Sequence, residues 1–349
     1  MAIEKLNIED FLSLSKSQPV VDVRSPGEYL HAHIPGAHNL PLFSNEERKI
    51  VGTLYKQQSR ETAIKTGLDI FGQKMSKMVE EVESFAGKGK IILIHCWRGG
   101  MRSAGVAWLM DLYGYRVYTL NGGYKKFRHY VLETFTQPLH FKILGGFTGS
   151  GKTRVLKELK KQDESIIDLE DIAQHKGSAF GALEGISQPS QEMFENRLAI
   201  EFRKLGTGNT WIEDESQRIG LLNIPQEIWK KMRVSPLYFL EIPFEERLTH
   251  ITEEYGNGDK EKIANGILRI QKRLGGLETK NAIRFLQEDN VKECFRVLLR
   301  YYDKCYLNGL DNRQCYKEQL QKLAFEKIDV FANTRKLMNL NALINEPIK

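Results

Sequence analysis

Phe141-Lys142-Ile143-Leu144-Gly145-Gly146-Phe147-Thr148-Gly149-Ser150-Gly151-Lys152-Thr153 decides the fold of the second half of the chain. An apolar run leads into G-x-x-x-x-G-K-T, and a helix is expected after it, so the stretch reads as strand, phosphate-cradling loop and helix. The residues expected to hold a diphosphate are Gly146, Thr148, Gly149, Ser150, Gly151, Lys152 and Thr153. The loop's backbone N–H groups face the phosphates, Lys152 reaches the outer one, and the Thr153 hydroxyl is a candidate Mg²⁺ ligand. Such a loop reads a diphosphate and not a base, so it does not by itself establish ATP or GTP as the ligand. Carboxylates follow the next two expected strands: Asp168 and Glu170, then Glu213, Asp214 and Glu215, with His175, Ser178 and Arg218 nearby. Acids at strand ends facing a phosphate loop suit Mg²⁺ or acid/base work. They equally suit helix N-termini, whose dipole favours negative charge.

About fifty residues upstream the pattern repeats with a thiol. Ile91-Ile92-Leu93-Ile94 precedes Cys96-Trp97-Arg98-Gly99-Gly100-Met101-Arg102-Ser103, and a helix is expected over Ser103 to Tyr113. Gly99 and Gly100 let backbone N–H groups converge, and a helix N-terminus adds its dipole, so Cys96 is expected to ionise readily. Arg98 and Arg102 add guanidiniums. Cys96, Arg98 and Arg102 are therefore the candidate catalytic residues of this loop.

The rest of the 349 residues supports two domains. Residues 1–130 alternate apolar runs with helical stretches, which implies a parallel sheet. Glu46 to Phe85 reads as mostly helical, its apolar stripe formed by Ile50, Leu54, Ile64, Leu68, Phe71, Met75, Met78 and Val82. Tyr124 to His140 reads as the connection between domains. Residues 131–258 form a second α/β set around the phosphate loop, and residues 259–349 a basic, helical extension; beyond about Glu245 only helices are expected. The extension holds 18 Lys+Arg against 12 Asp+Glu, leaving 33 of each elsewhere, so the whole net charge of +6 lies there. That surplus is either a solvated helical surface or a surface for nucleic-acid phosphates. The start carries no secretory pattern, no run approaches a membrane span, and the four cysteines form no CxxC pair. A reducing, cytoplasmic setting is expected, without a disulfide framework or structural zinc.

The spacing His95-Cys96-(five residues)-Arg102-Ser103 fits a protein tyrosine phosphatase loop. However, Asp22-Val23-Arg24-Ser25-Pro26-Gly27-Glu28-Tyr29 and His33-Ile34-Pro35-Gly36-Ala37-His38-Asn39-Leu40-Pro41 resemble the rhodanese pattern, whose loop cysteine carries sulfur or selenium. In that reading Asp22 and Arg24 tie down the first strand, and Glu28 and His33 are scaffold. With the phosphate loop added, the chain resembles the bacterial tRNA 2-selenouridine synthases. Supporting pieces are Val51-Gly52-Thr53-Leu54-Tyr55-Lys56, Leu120-Asn121-Gly122-Gly123-Tyr124-Lys125, His175-Lys176-Gly177-Ser178-Ala179-Phe180-Gly181, Ile212-Glu213-Asp214-Glu215-Ser216, Leu274-Gly275-Gly276 and Tyr301-Tyr302-Asp303. The resemblance implies an α/β fold: a rhodanese-like parallel-sheet domain, then a P-loop NTPase-like domain with a helical C-terminal extension. It implies a transferase acting on 2-thiouridine at wobble position 34 of tRNAs for Lys, Glu and Gln. Geranyl diphosphate first alkylates the sulfur; selenophosphate then delivers selenium and geranylthiol departs. Both are co-substrates; Mg²⁺ is compatible and no bound redox cofactor is expected. Partners would be tRNA and the enzyme that makes selenophosphate. Arg218 and Lys152 would neutralise the leaving diphosphate, and Arg269, Lys272, Arg273, Arg284, Arg296 and Arg300 would hold tRNA. Cys96 would carry selenium, attack the modified base, or assist departure of the geranylthiol. A rhodanese–kinase fusion or another ATP-using sulfurtransferase is the alternative reading.

Overall fold

The computed structural model describes residues 3–87, 90–175, 187–206, 208–256, 258–311, 313 and 316–345, with backbone alone at 316, 317 and 341–345. The chain divides into two compact units. One comprises residues 1–134 and 190–200; the other comprises 135–189 and 201–349. Besides the expected span 1–130, the first unit takes in residues 131–134 and 190–200.

In chain order the first unit holds β1 (Glu4–Leu6), α1 (Ile8–Leu14), β2 (Val20–Asp22), α2 (Pro26–His31), β3 (His38–Asn39), α3 (Asn45–Gln57), α4 (Arg60–Gly72), α5 (Met75–Ala86), β4 (Ile91–His95), α6 (Met101–Leu112), β5 (Arg116–Leu120) and α7 (Gly123–Thr136), whose end passes into the second unit. The five strands form a parallel sheet in the order β1-β5-β4-β2-β3. β4 is central, and its run Ile92 to His95 is wholly buried, as a strand covered on both faces requires. Glu46 to Phe85 is not one amphipathic stripe but three helices. Ser44 opens α3 with a reciprocal capping box to Glu47, and Ser59 caps α4 on the Thr62 N–H. Each restart resets the helical phase, so Ile50 (53% exposed) and Leu68 (58% exposed) face solvent while Phe71, Met78 and Val82 enter the core. The expected linker is also a core element: Tyr124, Phe127, Val131 and Phe135 of α7 are buried at its helical spacing.

The second unit continues with β6 (Phe141–Gly146), α8 (Lys152–Lys161), β7 (Ile166–Ile167), α9 (Leu169–Ala173), α10 (Gln191–Lys204, its first ten residues counted with the first unit), β8 (Thr210–Glu213), β9 (Arg218–Ile219), β10 (Leu222–Asn223), α11 (Gln226–Arg233), β11 (Leu237–Glu241), α12 (Phe244–Tyr255), α13 (Lys260–Leu274), α14 (Gly276–Gln287), α15 (Val291–Asp311), α16 (Tyr316–Gln319), β12 (Leu320–Ala324) and α17 (Val330–Asn345). Its main sheet is parallel, ordered β12-β11-β6-β8-β7, with β9 and β10 a separate antiparallel pair. β12 corrects the all-helical expectation for the C-terminal region. It pairs over five residues with β11. Its sequence, Leu-Gln-Lys-Leu-Ala, lacks the apolar run of a central strand because it lies at the sheet edge, with solvent on one side.

Arg24 holds the first unit's sheet at its heart. It is 1% exposed, bonds the equally buried Asp22 at 2.6 Å, reaches Ala32 O at 2.7 Å and lies 3.7 Å above the Tyr124 ring. Burial alone would push the Asp22 carboxyl up, but His95 and Arg24 outweigh it and hold it below its usual value. Asp22→Ala leaves a buried guanidinium without its counter-charge, and should lower the unfolding free energy of this unit by about 3–5 kcal/mol, read as an earlier urea transition.

Candidate functional site

In the first unit the central strand β4 ends at His95 and delivers Cys96, which is 3% exposed. Gly99 takes φ +65°, and a Cβ there would lie 2.7 Å from Leu120 O; only glycine lets the loop turn this closely past β5. The turn brings the Gly100 N–H to within 3.3 Å of Cys96 Sγ. Ser103 Oγ lies 3.2 Å from the sulfur and 3.0 Å from Gly100 O. With the thiol protonated, Cys96 donates to Ser103, which donates to Gly100 O; on ionisation the hydroxyl can turn its proton to the sulfur. Burial pushes the Cys96 thiol up, but hydrogen bonds from Ser103 and from the Arg98 and Gly100 backbone win and set it below its ordinary value.

The opposite wall is the turn Asn121-Gly122-Gly123. The Tyr124 N–H donates to Cys96 O at 2.8 Å and the Lys125 N–H to Trp97 O at 2.9 Å. Gly123, at φ +59°, passes so near that a Cβ would lie 2.3 Å from Cys96 O. The buried Arg24 thus supports the loop through Tyr124, whose hydroxyl accepts from Asn196 at 2.8 Å and donates to Glu192 at 2.7 Å. Of the two expected arginines, Arg98 is exposed and contributes its backbone N–H, whereas Arg102 is half-buried and bonds Glu28 Oε2 at 3.0 Å. Glu28 does the scaffold work expected of it: it closes the capping box with Ser25, holds Arg48 at 2.9 Å and orients Arg102. Ser103 is the residue that sequence reasoning passed over; the signal was its place one helical turn after the loop.

In the second unit the phosphate loop joins the central strand β6 to α8. Gly146, Gly149 and Gly151 all have positive φ, at 149°, 82° and 77°. A Cβ on Gly149 would lie 2.7 Å from Ile251 Cγ1, so the loop lies directly on α12. Lys152 Nζ sits over the loop on Gly146 O at 2.9 Å and Phe147 O at 3.4 Å. Ser150 is 1% exposed, its hydroxyl buried. Arg247 donates to Thr148 O at 3.0 Å. The acids converge as expected in part. Thr153 Oγ1 lies 3.5 Å from Glu170 Oε2 and also bonds Glu213, at the end of β8. Glu213 is 3% exposed, and burial pushes its carboxyl up to about 7, aided by the charges of Glu170 and Asp168 against Lys152 and Thr153. Burial, Glu170 and Glu213 raise the half-buried Glu215 as well. Asp168 caps α9 by accepting the Asp171 N–H at 2.9 Å, and burial raises it. Asp214 turns away from the acids to Tyr306 (2.6 Å) and Arg313 (3.4 Å).

Other expected residues are less engaged. Arg218 is exposed and donates to Gly220 O at 2.9 Å within its own hairpin. His175 sits at the end of α9 beside Gly220, and Ser178 lies outside the described residues. Arg269, Lys272 and Arg273 share one exposed side of α13, three and four residues apart; Arg284 on α14 and Arg300 on α15 are exposed too. Arg296 differs, since Glu245 and Glu293 both bond it. Among the described residues no helix is long and apolar enough to cross a membrane, and no cluster of three His, Cys, Asp or Glu side chains stands ready for a metal ion.

These two sheets with their loops define a rhodanese-like domain fused to a P-loop domain. The family description "Rhodanese-like domain" matches residues 7–130, and "tRNA 2-selenouridine synthase AAA domain" matches residues 139–335. The tRNA 2-selenouridine synthase of Hydrogenovibrio crunogenus is 34% identical over 86% of this chain and 91% of its own length. That of Nitrosomonas europaea is 30% identical over 89% and 95%, and that of Pseudomonas putida 36% over 77% and 78%. The chain belongs to the tRNA 2-selenouridine synthase family, a family of enzymes.

Two outcomes follow from the electrostatics. Ser103→Ala removes a hydrogen bond that favours the thiolate, so the pH midpoint for iodoacetamide alkylation of Cys96, followed by peptide mass spectrometry, should move upward. Glu213 keeps its proton to about pH 7 when folded, whereas an unfolded glutamate loses it near its ordinary 4.5. The unfolded state then binds fewer protons across that window, so folding stability falls as pH rises through it and stays low above pH 7. Glu213→Gln should therefore raise the melting temperature at about pH 8 and change it little at about pH 4.5.

Proposed function

We propose that this chain exchanges sulfur for selenium in the 2-thiouridine at wobble position 34 of tRNAs for Lys, Glu and Gln, through an S-geranyl intermediate. The observation that supports this best is the presence, on one chain, of an intact thiolate nest and an intact diphosphate cradle. In the first step the thiouridine sulfur attacks the allylic carbon of geranyl diphosphate. The carbon–oxygen bond breaks, diphosphate leaves, and the base gives up its N3 proton. The backbone N–H groups of the phosphate loop and Lys152 stabilise the charge that grows on the departing diphosphate. Thr153 and Glu170 offer oxygen donors 3.5 Å apart, of the kind Mg²⁺ takes, and a diphosphate would complete the set; bound there, the ion would screen the leaving group's charge. In the second step selenophosphate supplies selenium to C2, geranylthiol leaves and phosphate is released by water. The loop around Cys96 suits an anionic selenium donor, and its lowered thiol suits Cys96 as a nucleophile that attacks C2 and displaces geranylthiol before selenium displaces the cysteine in turn.

The exposed basic residues of α13 suit the phosphates of a tRNA, and a single-stranded anticodon loop can present an unstacked base. Arg296, already neutralised by two acids, contributes least.

The test is nucleoside mass spectrometry of 2-thiouridine tRNA incubated with the protein, geranyl diphosphate and selenophosphate. Geranylated thiouridine and selenouridine are expected. Cys96→Ala should abolish the selenouridine and leave geranylation largely intact; Lys152→Ala should cut geranylation by about a hundredfold or more. No mass change with folded protein overturns the reading in favour of ATP-dependent chemistry. Loss of both products in a folded Cys96→Ala variant overturns the division between the loops.

A further inference from the structure

The phosphate loop is held from behind by two side chains of one helix, and neither was expected from the loop's own motif. Tyr306, on α15, accepts the Gly146 N–H at 3.3 Å and donates its own proton to Asp214 at 2.6 Å. Its ring packs 5.7 Å from Phe147 and 5.8 Å from Phe239. One helical turn earlier, Asp303 takes both Nη atoms of Arg247, at 2.9 and 2.7 Å. Arg247 is 3% exposed; it passes the restraint on by donating to Thr148 O at 3.0 Å and to Ile242 O at 3.2 Å, with its guanidinium 4.8 Å from the Phe147 ring centre. Gly146, Phe147 and Thr148 are thus fixed in succession, by a hydroxyl, by ring packing and by a guanidinium.

We propose that Asp303 and Tyr306 are positioning residues that fix the phosphate loop in its diphosphate-accepting shape. The inference deepens the reading of Gly146 to Thr153 as a diphosphate cradle and rests on it. The physical ground is preorganisation. A cradle made of backbone N–H groups binds tightly only when their directions are set before the ligand arrives, and a loop with three positive-φ glycines does not hold itself. The fork of Arg247 suits the task, because a planar guanidinium gripped on both nitrogens by Asp303 has one orientation toward Thr148 O. Without Asp303 the buried guanidinium of Arg247 would lose the partner that fixes its direction toward Thr148 O. Tyr306 keeps the N–H of Gly146 from straying and links it to Asp214 at the end of the neighbouring strand β8.

The full-length chain and its Asp303→Asn, Tyr306→Phe and Lys152→Ala variants would be titrated with inorganic pyrophosphate by calorimetry, with thermal melts alongside. Tyr306→Phe keeps the ring packing and removes only the hydroxyl, so its melt should stay near that of the parent while affinity falls by roughly fivefold. Asp303→Asn should weaken binding by about tenfold or more. In the full reaction both should raise the KM for geranyl diphosphate more than they lower turnover of tRNA already geranylated, a split that general destabilisation would not produce. If the parent binds pyrophosphate, Lys152→Ala does not, and folded Tyr306→Phe and Asp303→Asn bind like the parent, the positioning role is overturned while the cradle stands. If Asp303→Asn does not fold, Tyr306→Phe decides. No binding by the parent overturns the cradle reading and this proposal together.

Discussion

The chemistry of both halves depends on where the middle strand of a parallel sheet ends. β4 and β6 each have two strands on either side. Connections that run to opposite sides of such a strand leave a crevice at its C-terminal tip, and the chain must fill it with a loop. The first helical turn beyond that loop has N–H groups with no partner of its own. Filled by Cys96 to Gly100, the crevice aims a donor at a sulfur; filled by Gly146 to Gly151, it leads into α8 through the positive-φ glycines Gly149 and Gly151. One geometric solution therefore serves two chemistries, and the side chain at the tip decides which.

Burial opposes both sites, and its outcome differs between them. Cys96 is nearly sealed from water, which favours the neutral thiol, but it has several hydrogen-bond donors within reach of the sulfur and ends up more acidic than a free cysteine. Glu213 is buried too, and there burial itself is the largest influence; with Glu170 and Asp168 it outweighs Lys152 and Thr153, and the carboxyl ends up less acidic than a free glutamate. Burial raises both groups; hydrogen bonds to the sulfur reverse it at Cys96, while Lys152 and Thr153 do not reverse it at Glu213.

The core strands, both loops and their helices were legible because each is a local signal, an apolar run joined to glycines at fixed offsets. Pairwise contacts were not. Asp303 appeared in the sequence only as part of a Tyr-Tyr-Asp motif, and nothing in that motif points 56 residues back to Arg247 or onward to Thr148. Glu28 stands 74 residues from Arg102. The boundary between the units falls inside Tyr124 to His140, but most of that stretch is a helix whose spacing of Tyr124, Phe127 and Val131 buries one face. The stripe drawn through Ile50 and Leu68 failed because Ser44 and Ser59 start new helices, and a stripe cannot be carried across a break.

β12 gives the second unit an unusual order of events during synthesis. The strand lies at residues 320–324, yet it completes a sheet whose other members are finished by residue 241. Until the ribosome has made residues 320–324, β11 therefore presents its outer row of backbone N–H and C=O groups with no strand to take them. A bare edge of that kind readily pairs with a similar edge on another nascent chain. The helices α12 to α15 emerge in the interval, between β11 and the strand that completes its edge. Folding of the phosphate-loop unit thus waits for residues 320–324, and a ribosome stalled before residue 320 would release a chain with an open sheet.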